Sequence, residues 1–391
     1  MTAPRIGFDA LFLEQPMTGV GQYALNLWRQ LRDQQQEVLP QLLMPADAPQ
    51  HATFESQPGS TATGVPPPRL PGGRTRKMWW EQAGVVLATR RADVELVHIP
   101  HFSAPLHQAV PHVVTVHDVI PLALPSYGGT IKMRAYLRLV ARTVRRVPLI
   151  LTDSEHAKRD IIRYLGIPQE RIRVTPLAVG AHLRPAETDT DRAAIAAMRA
   201  TFGLHTPFVL YVGGFDLRKR LPQLVRGFAA ALPLLPETYD LVIPGRAHTG
   251  NPVIYPPLEP LIRELGIADR VRLIGFVSEE DKRDLYRSAS VFAFASEYEG
   301  FGLNPLEAMA CGAPVICSNR SSLPEVVGDA GLLIDPEPDA IARALVHVLT
   351  DDALRADLSR RGLRRAATFS WERTMQLTLS AYRDVLEGKI E

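Results

Sequence analysis

Glu299 and Glu307 stand with seven residues between them in the stretch Ser296-Glu-Tyr-Glu-Gly-Phe-Gly-Leu-Asn-Pro-Leu-Glu307. The apolar run before it, 291–295, reads as a short buried strand, and 306–311 reads as a helix with Pro305 at its first turn. A glycine turn that delivers the chain onto a helix N-terminus is an anion site, because free N–H groups and the positive end of the helix dipole point at the ligand. Gly300-Phe301-Gly302-Leu303 is that segment, and its glycines let a phosphate approach the backbone closely. Glu299 cannot hold the same phosphate, since like charges repel, and suits sugar hydroxyls instead. Glu307, read as a first-turn residue, suits a second polyol such as a ribose. Sugar, diphosphate and ribose together describe a nucleotide sugar. The plainer reading is a dipole-complementing acid and a solvated loop charge; the strand, glycine turn and proline-started helix around the pair favour the functional one.

Three further groups have chemistry at strand ends. Val114-Thr-Val-His-Asp-Val-Ile-Pro-Leu122 places His117 and Asp118 just past an apolar run, where parallel sheets bind ligands. His117 at that address can hydrogen-bond a hydroxyl near a reacting carbon without a metal. Five of the eleven histidines fall between His98 and His117, yet His98 and His101 lack the cysteine or carboxylate neighbours of a metal site, and none is expected. Val209-Leu-Tyr-Val-Gly-Gly-Phe-Asp-Leu-Arg-Lys-Arg-Leu221 gives a strand, a turn at Gly214, and cations at a helix start. Cations are unfavourable there, so Arg218 and Lys219 call for an anionic partner, such as a diphosphate, or full solvation. Thr18-Gly-Val-Gly-Gln-Tyr-Ala24 matches a dinucleotide fingerprint formally, but its glycines lie about ten residues past the strand and no acid ends strand two. Gly19 and Gly21 are better read as keeping the backbone low beneath a ligand.

The elements that must position these groups alternate. Strands are expected near 5–8, 38–44, 94–99, 113–116 and 149–152, with a helix near 21–33; a second series follows at 208–212, 241–243, 271–274, 291–295, 314–317 and 331–334. Alternating strands and helices imply parallel sheets built from βαβ units. The segment from 45 to about 75 is rich in Pro, Gly, Ser and Thr and reads as a long loop. Residues 175–206 lose strand character, and 175–180 reads as an interdomain linker. Three segments follow: 1–180 as a first domain, 181–370 as a second that carries the Glu299 and Glu307 stretch, and 371–391 as an amphipathic helix crossing back to the first domain, with Leu377, Tyr382 and Leu386 at helical spacing.

The 391 residues exceed one ordinary core, and 46% hydrophobic with 22% charged residues is a globular composition. No run of 18 apolar residues suggests a membrane span, and the N-terminus lacks a signal core, which points to cytoplasmic residence. Cys311 and Cys317 read as reduced core residues. Net charge is +2, but residues 1–185 hold 21 Lys and Arg against 14 Asp and Glu, whereas 186–391 hold 23 against 28. The basic half contains a helical stripe of Arg134, Arg138 and Arg142 joined by Lys132, Arg145 and Arg146, which suits a membrane surface or a lipid phosphate. Trp79-Trp80 is either an interfacial anchor there or core. Nucleic acid is not an expected partner, since the second half is acidic and carries no recognition motif.

These residues resemble the retaining glycosyltransferases of family 4 over almost the whole chain. The likeness rests on Gly19 and Gly21, His117-Asp118, Ser154-Glu-His156, Lys219, Gly275-Phe-Val277, Glu299 with Glu307 and the following Ala-Met-Ala-Cys-Gly-Ala-Pro-Val, and the final Phe-Ser-Trp helix. It implies an α/β GT-B fold, two Rossmann-like parallel-sheet domains facing each other across a cleft. It also implies that Glu299 touches the donor sugar, Gly302, Leu303 and Lys219 the diphosphate, Glu307 the ribose, and the Phe276-Val277 backbone the base, with His117 by the anomeric carbon. Two departures stand out: Gly213-Gly214 where the family often has Gly-Arg, which leaves Arg218 and Lys219 to neutralise the leaving diphosphate, and Leu177-Ala178 where Asn-Gly is common. With no second carboxylate evident near His117, retention implies a same-face displacement, without metal or other cofactor. The His117-Asp-Val-Ile-Pro-Leu122 form resembles bacterial mannosyltransferases of O-antigen or exopolysaccharide assembly. That implies GDP-mannose as donor, a polyprenyl-diphosphate-linked saccharide as acceptor, and peripheral attachment to the inner face of the cell membrane. UDP-glucose, UDP-GlcNAc or an activated rhamnose are alternative donors; a nucleotide-sugar epimerase, a sugar phosphorylase or a non-catalytic lipid-carrier binding protein are alternatives of other classes.

Overall fold

The computed structural model describes residues 3–15, 18–48, 61–68, 73–246 and 251–390. It forms two units, Met1–Leu177 with Trp371–Glu391, and Ala178–Ser370. The first is built on strands β1 (Arg5–Asp9), β2 (Leu39–Pro45), β3 (Thr61–Val65), β4 (Leu96–Ile99), β5 (His112–Thr115), β6 (Leu149–Thr152) and β7 (Ile172–Val174), ordered β3-β2-β1-β4-β5-β6-β7. The second is built on β8 (Phe208–Leu210), β9 (Asp240–Pro244), β10 (Val271–Gly275), β11 (Val291–Phe294), β12 (Val315–Ser318) and β13 (Leu332–Ile334), ordered β10-β9-β8-β11-β12-β13. The paired strands run parallel, with Ile6 of β1 opposite Pro40 on one side and Leu96 on the other. In each sheet the order reverses beside the first strand, between β1 and β4 and between β8 and β11, which creates the crevice where such sheets take ligands.

Central strands are buried end to end because helices cover both faces; every residue of β4, β5, β6, β11 and β12 is buried. The Gly19–Arg32 helix is capped by Thr18, whose hydroxyl accepts from the Gly21 N–H, and its Trp28 packs 5.8 Å from the Phe8 ring. Trp80 is fully buried and donates its indole N–H to Asp9, so this half of the Trp79-Trp80 pair is core and not an interfacial anchor.

The expected loop from 45 to 75 is corrected in part: Thr61–Val65 pairs with β2, and a helix begins at Gly73. Residues 49–60 and 69–72 of that loop lie outside the described residues. The stretch after 186 is a helix, Asp189–Thr201, started by a capping box between Thr188 and Asp191.

The last helix, Trp371–Leu386, belongs to the first unit. Thr374 donates to the Pro176 carbonyl at 2.6 Å, and the Tyr382 hydroxyl lies 2.7 Å from His98 Nδ1. His98 Nε2 in turn reaches Thr115 Oγ1 at 2.8 Å, which Tyr23 also contacts at 3.0 Å. Burial pushes His98 down to about 3, so it is a neutral link in this chain of hydrogen bonds. Both cysteines are free and buried.

Candidate active site

In the second unit, the loops that leave β8, β11 and β12 meet above the reversal of strand order. Tyr211, just past β8, donates its hydroxyl to the Gly214 carbonyl at 2.6 Å, and a Cβ on Gly213 would come within 2.7 Å of that hydroxyl. The turn this fixes carries Arg218 and Lys219, in Leu217–Lys219, to Glu299. Lys219 Nζ lies 2.5 Å from Glu299 Oε1, Arg218 Nη1 lies 2.9 Å from Oε2, and Ser296 donates to Oε1 at 2.6 Å. Lys219 is 6% exposed and sits 5.0 Å from the centre of the Phe294 ring. Burial alone would raise the Glu299 carboxyl, but Lys219 and Arg218 outweigh it and hold the group below its ordinary value.

In this structure the anionic partner that Arg218 and Lys219 call for is the chain's own carboxylates, since Arg218 also meets Asp216 at 3.1 Å. Two cations face two carboxylates, and the cluster is neutral. The third cation, Arg220, is paired with Glu297 at 2.8 Å, and its φ of 54° starts the Leu221–Ala231 helix.

The glycine turn enters its helix earlier than the sequence suggests. Leu303–Ala310 begins two residues before Pro305, so Glu307 is the fifth helical residue and lies beyond the first turn. Gly302, at φ 128°, makes the early start; a Cβ there would meet Leu323 at 2.9 Å. Ser322 fixes the turn from the loop after β12, donating to the carbonyls of Glu299 and Phe301. Phe301 is buried with its ring 5.8 Å from that of Phe369, while Gly300 and Leu303 continue the turn on either side. Glu307 is 7% exposed and accepts from Lys282 at 3.2 Å and Tyr286 at 3.0 Å. Burial raises its carboxyl despite those two partners. Lys282 stands on the Glu279–Ser288 helix, whose cap Ser278 directly follows Phe276-Val277. Phe276 is 67% exposed, a large aromatic ring left in solvent past the end of β10. Lys282 thus links Glu307 to the helix that Phe276-Val277 leads into.

In the first unit, His117 follows β5 and donates from Nδ1 to Asp153 at 2.7 Å. Nε2 lies 3.3 Å from the Pro100 carbonyl, and the Tyr23 ring meets the imidazole edge-on at 4.6 Å. Burial would lower this imidazole, but the Asp153 charge and hydrogen bond, with Asp118 behind them, raise it. Two acceptors, one on each nitrogen, suit the charged form. Asp118 Oδ1 accepts the Ile120 N–H at 3.0 Å and starts the short Ile120–Ala123 turn.

Asp153 is the principal residue the sequence reading missed. It corrects the expectation of no second carboxylate near His117, yet it is 2% exposed and bonded to the imidazole, so it orients the ring. Gly21 also acquires a structural reason: a Cβ there would overlap the Gln15 carbonyl, whereas one on Gly19 would meet open space. Among the described residues no group of three or more His, Cys, Asp or Glu is placed to hold a metal ion, and no helix is long and apolar enough to cross a membrane.

Two family models match the chain. The family model "Glycosyltransferase Family 4" matches residues 17–181, and "Glycosyl transferases group 1" matches 199–365. An O-antigen chain mannosyltransferase B of Escherichia coli is 33% identical over 384 residues, covering 95% of this chain and 97% of that protein. The chain belongs to the family 4 glycosyltransferases. The fold of this glycosyltransferase is GT-B: a sucrose-phosphate synthase of Thermosynechococcus elongatus superposes with a TM-score of 0.76 at 22% identity, over 98% of this chain and 100% of that one. WaaG, a glycosyltransferase involved in lipopolysaccharide biosynthesis, superposes at 0.70 and 17% identity, over 98% and 100%.

Proposed function

We propose that this glycosyltransferase moves mannose from GDP-mannose, with retention at the anomeric carbon, to a lipid-linked saccharide during bacterial surface polysaccharide synthesis. The observation that carries the reading is the Lys219, Arg218 and Glu299 cluster at the strand-order reversal, directly before the Gly302-started helix. The 33% identity to an O-antigen mannosyltransferase across nearly the full length supports mannose and this kind of acceptor.

Breaking a sugar–phosphate bond leaves negative charge on the diphosphate, and fixed donors aimed at that charge lower the barrier. Here the N–H groups at the start of Leu303–Ala310, with Arg218 and Lys219, supply those donors. Sugar hydroxyls that bond to Glu299 would take over part of its hydrogen bonding and release Arg218 toward the diphosphate. Glu307 and Lys282 would hold the ribose, and Phe276 the base. In the first unit His117, oriented by Asp153, whose charge favours the protonated imidazole, would hydrogen-bond the reacting sugar. The basic face of that unit would meet the membrane surface at which the acceptor lies.

The test is to incubate the protein with GDP-mannose, UDP-glucose, UDP-GlcNAc and an activated rhamnose, and to follow nucleotide release with and without a lipid-linked acceptor. Acceptor-dependent release of GDP and an α-linked product, read by NMR, are expected. Release of sugar 1-phosphate in the presence of phosphate would indicate a phosphorylase, and conversion without acceptor an epimerase. If no nucleotide sugar is bound or turned over, the transferase reading fails.

A further inference from the structure

A cavity of about 780 Å3 opens in the first unit, apart from the residues assigned above. Its lining combines the apolar Pro121, Leu122, Leu137 and Tyr164 with Arg134, Arg138, Arg142 and Arg145. The charged part of that lining follows from helical spacing. Ile131–Val144 buries Leu137, Val140 and Ala141, which leaves positions 134, 138 and 142 on one exposed stripe. Their guanidinium groups recur about every 6 Å along the axis, four residues at the helical rise. Arg145 is already held, donating to the Leu165 carbonyl at 2.5 Å. Among the described residues, Arg134, Arg138 and Arg142 have no carboxylate partner, and no acid lines the cavity. Ile131, at the start of the same helix, is 80% exposed. Pro121 and Leu122 follow His117 by four and five residues, so the apolar rim continues the loop that carries the imidazole.

We propose that this groove binds the diphosphate of the acceptor's lipid carrier together with the first units of its isoprenoid tail. The inference rests on the lipid-linked acceptor proposed above. Charge complementarity selects the occupant. Three guanidinium groups with no carboxylate partner among the described residues match a doubly charged diphosphate diester, each able to bond phosphate oxygens in a bidentate fork. The apolar lining residues and exposed Ile131 suit a hydrocarbon chain attached to that charge. A flat bilayer surface would meet the stripe but leave the cavity and its apolar lining unused.

The test uses the full-length protein in calorimetric titrations with farnesyl diphosphate, inorganic diphosphate and GDP, and in co-sedimentation with phosphatidylglycerol vesicles. Farnesyl diphosphate is expected to bind at least about tenfold more tightly than inorganic diphosphate, and the double variant R138Q/R142Q to lose at least about tenfold of that affinity. The same variant should keep its thermal midpoint and its affinity for GDP. The proposal is overturned if the tail adds nothing to diphosphate affinity, or if the variant binds farnesyl diphosphate as the parent does. Loss of vesicle binding alone, with farnesyl diphosphate unaffected, also overturns it in favour of plain bilayer contact. Tight, arginine-dependent farnesyl diphosphate binding without nucleotide-sugar turnover would sink the transferase reading and leave the groove standing; the converse would sink the groove alone.

Discussion

Lys219 and Glu299 lie 80 residues apart in the sequence and meet at 2.5 Å. Lys219 is buried and Glu299 partly so, and Arg218 stands on the second oxygen of the same carboxylate. Removing one partner of such a pair leaves the other charged and desolvated. Glu299→Gln should lower unfolding stability by about 3 kcal/mol in urea titrations and abolish donor binding. Retention of both would mean that the carboxylate neither balances the cations nor touches the sugar.

His117 gives a pH signature. Its folded-state pKa lies above the ordinary 6.5. A raised imidazole pKa contributes stability that is complete below 6.5 and is lost as pH rises through the folded value. Asp153→Asn removes the charge responsible, so it should destabilise by about 1–2 kcal/mol at pH 6 and by much less at pH 9. Denaturant midpoints at the two pH values decide it; an equal loss at both would show that the carboxylate matters through packing alone.

Glu307 and His117 should separate kinetically. Glu307→Ala removes the acceptor of Lys282 and Tyr286 and is expected to raise the KM for the nucleotide sugar about tenfold or more, with little change in kcat. His117→Ala should instead lower kcat about 100-fold. Steady-state kinetics with each variant provides the comparison, and unchanged turnover without the imidazole would remove His117 from the reaction.

Gly302 tests the turn itself. Its φ of 128° and the 2.9 Å approach of a Cβ to Leu323 leave no room for alanine. Gly302→Ala should cost about 1–3 kcal/mol of stability and weaken GDP binding by moving the helix start. Thermal unfolding together with GDP titration reads both effects, and a variant that binds GDP normally would place the diphosphate elsewhere.

The strands that sequence patterning locates well are those buried on both faces. Val291–Phe294 and Leu149–Thr152 are uninterrupted apolar or β-branched runs, and the structure places them within a residue of the expected bounds. Thr61–Val65 escapes because an edge strand needs less apolar character, and Thr-Ala-Thr-Gly-Val beside a proline run looks like loop. Ile172–Val174 escapes because three residues around Arg173 carry too little pattern. The site divides similarly. Strand-end position marks His117, and the same rule marks Asp153, one residue past β6. The neutral pairing of Arg218 and Lys219 with Glu299 and Asp216 was not legible, because it joins loops from β8 and β11 that only the folded sheet makes neighbours. The start of the helix at Leu303 was hidden for a related reason: Pro305 reads as a first-turn residue, while the conformation of Gly302 sets the true beginning.

The hydrogen bond between Tyr382 and His98 sets an order on biosynthesis. A ribosome makes β1 to β7 first, yet the residue that completes the polar chain behind β4 and β5 emerges some two hundred positions after β7. All of Ala178–Ser370 has been translated by then. The second sheet can therefore close while the polypeptide is still being extended, whereas His98 in the first lacks that partner until nearly the last turn of the helix is made.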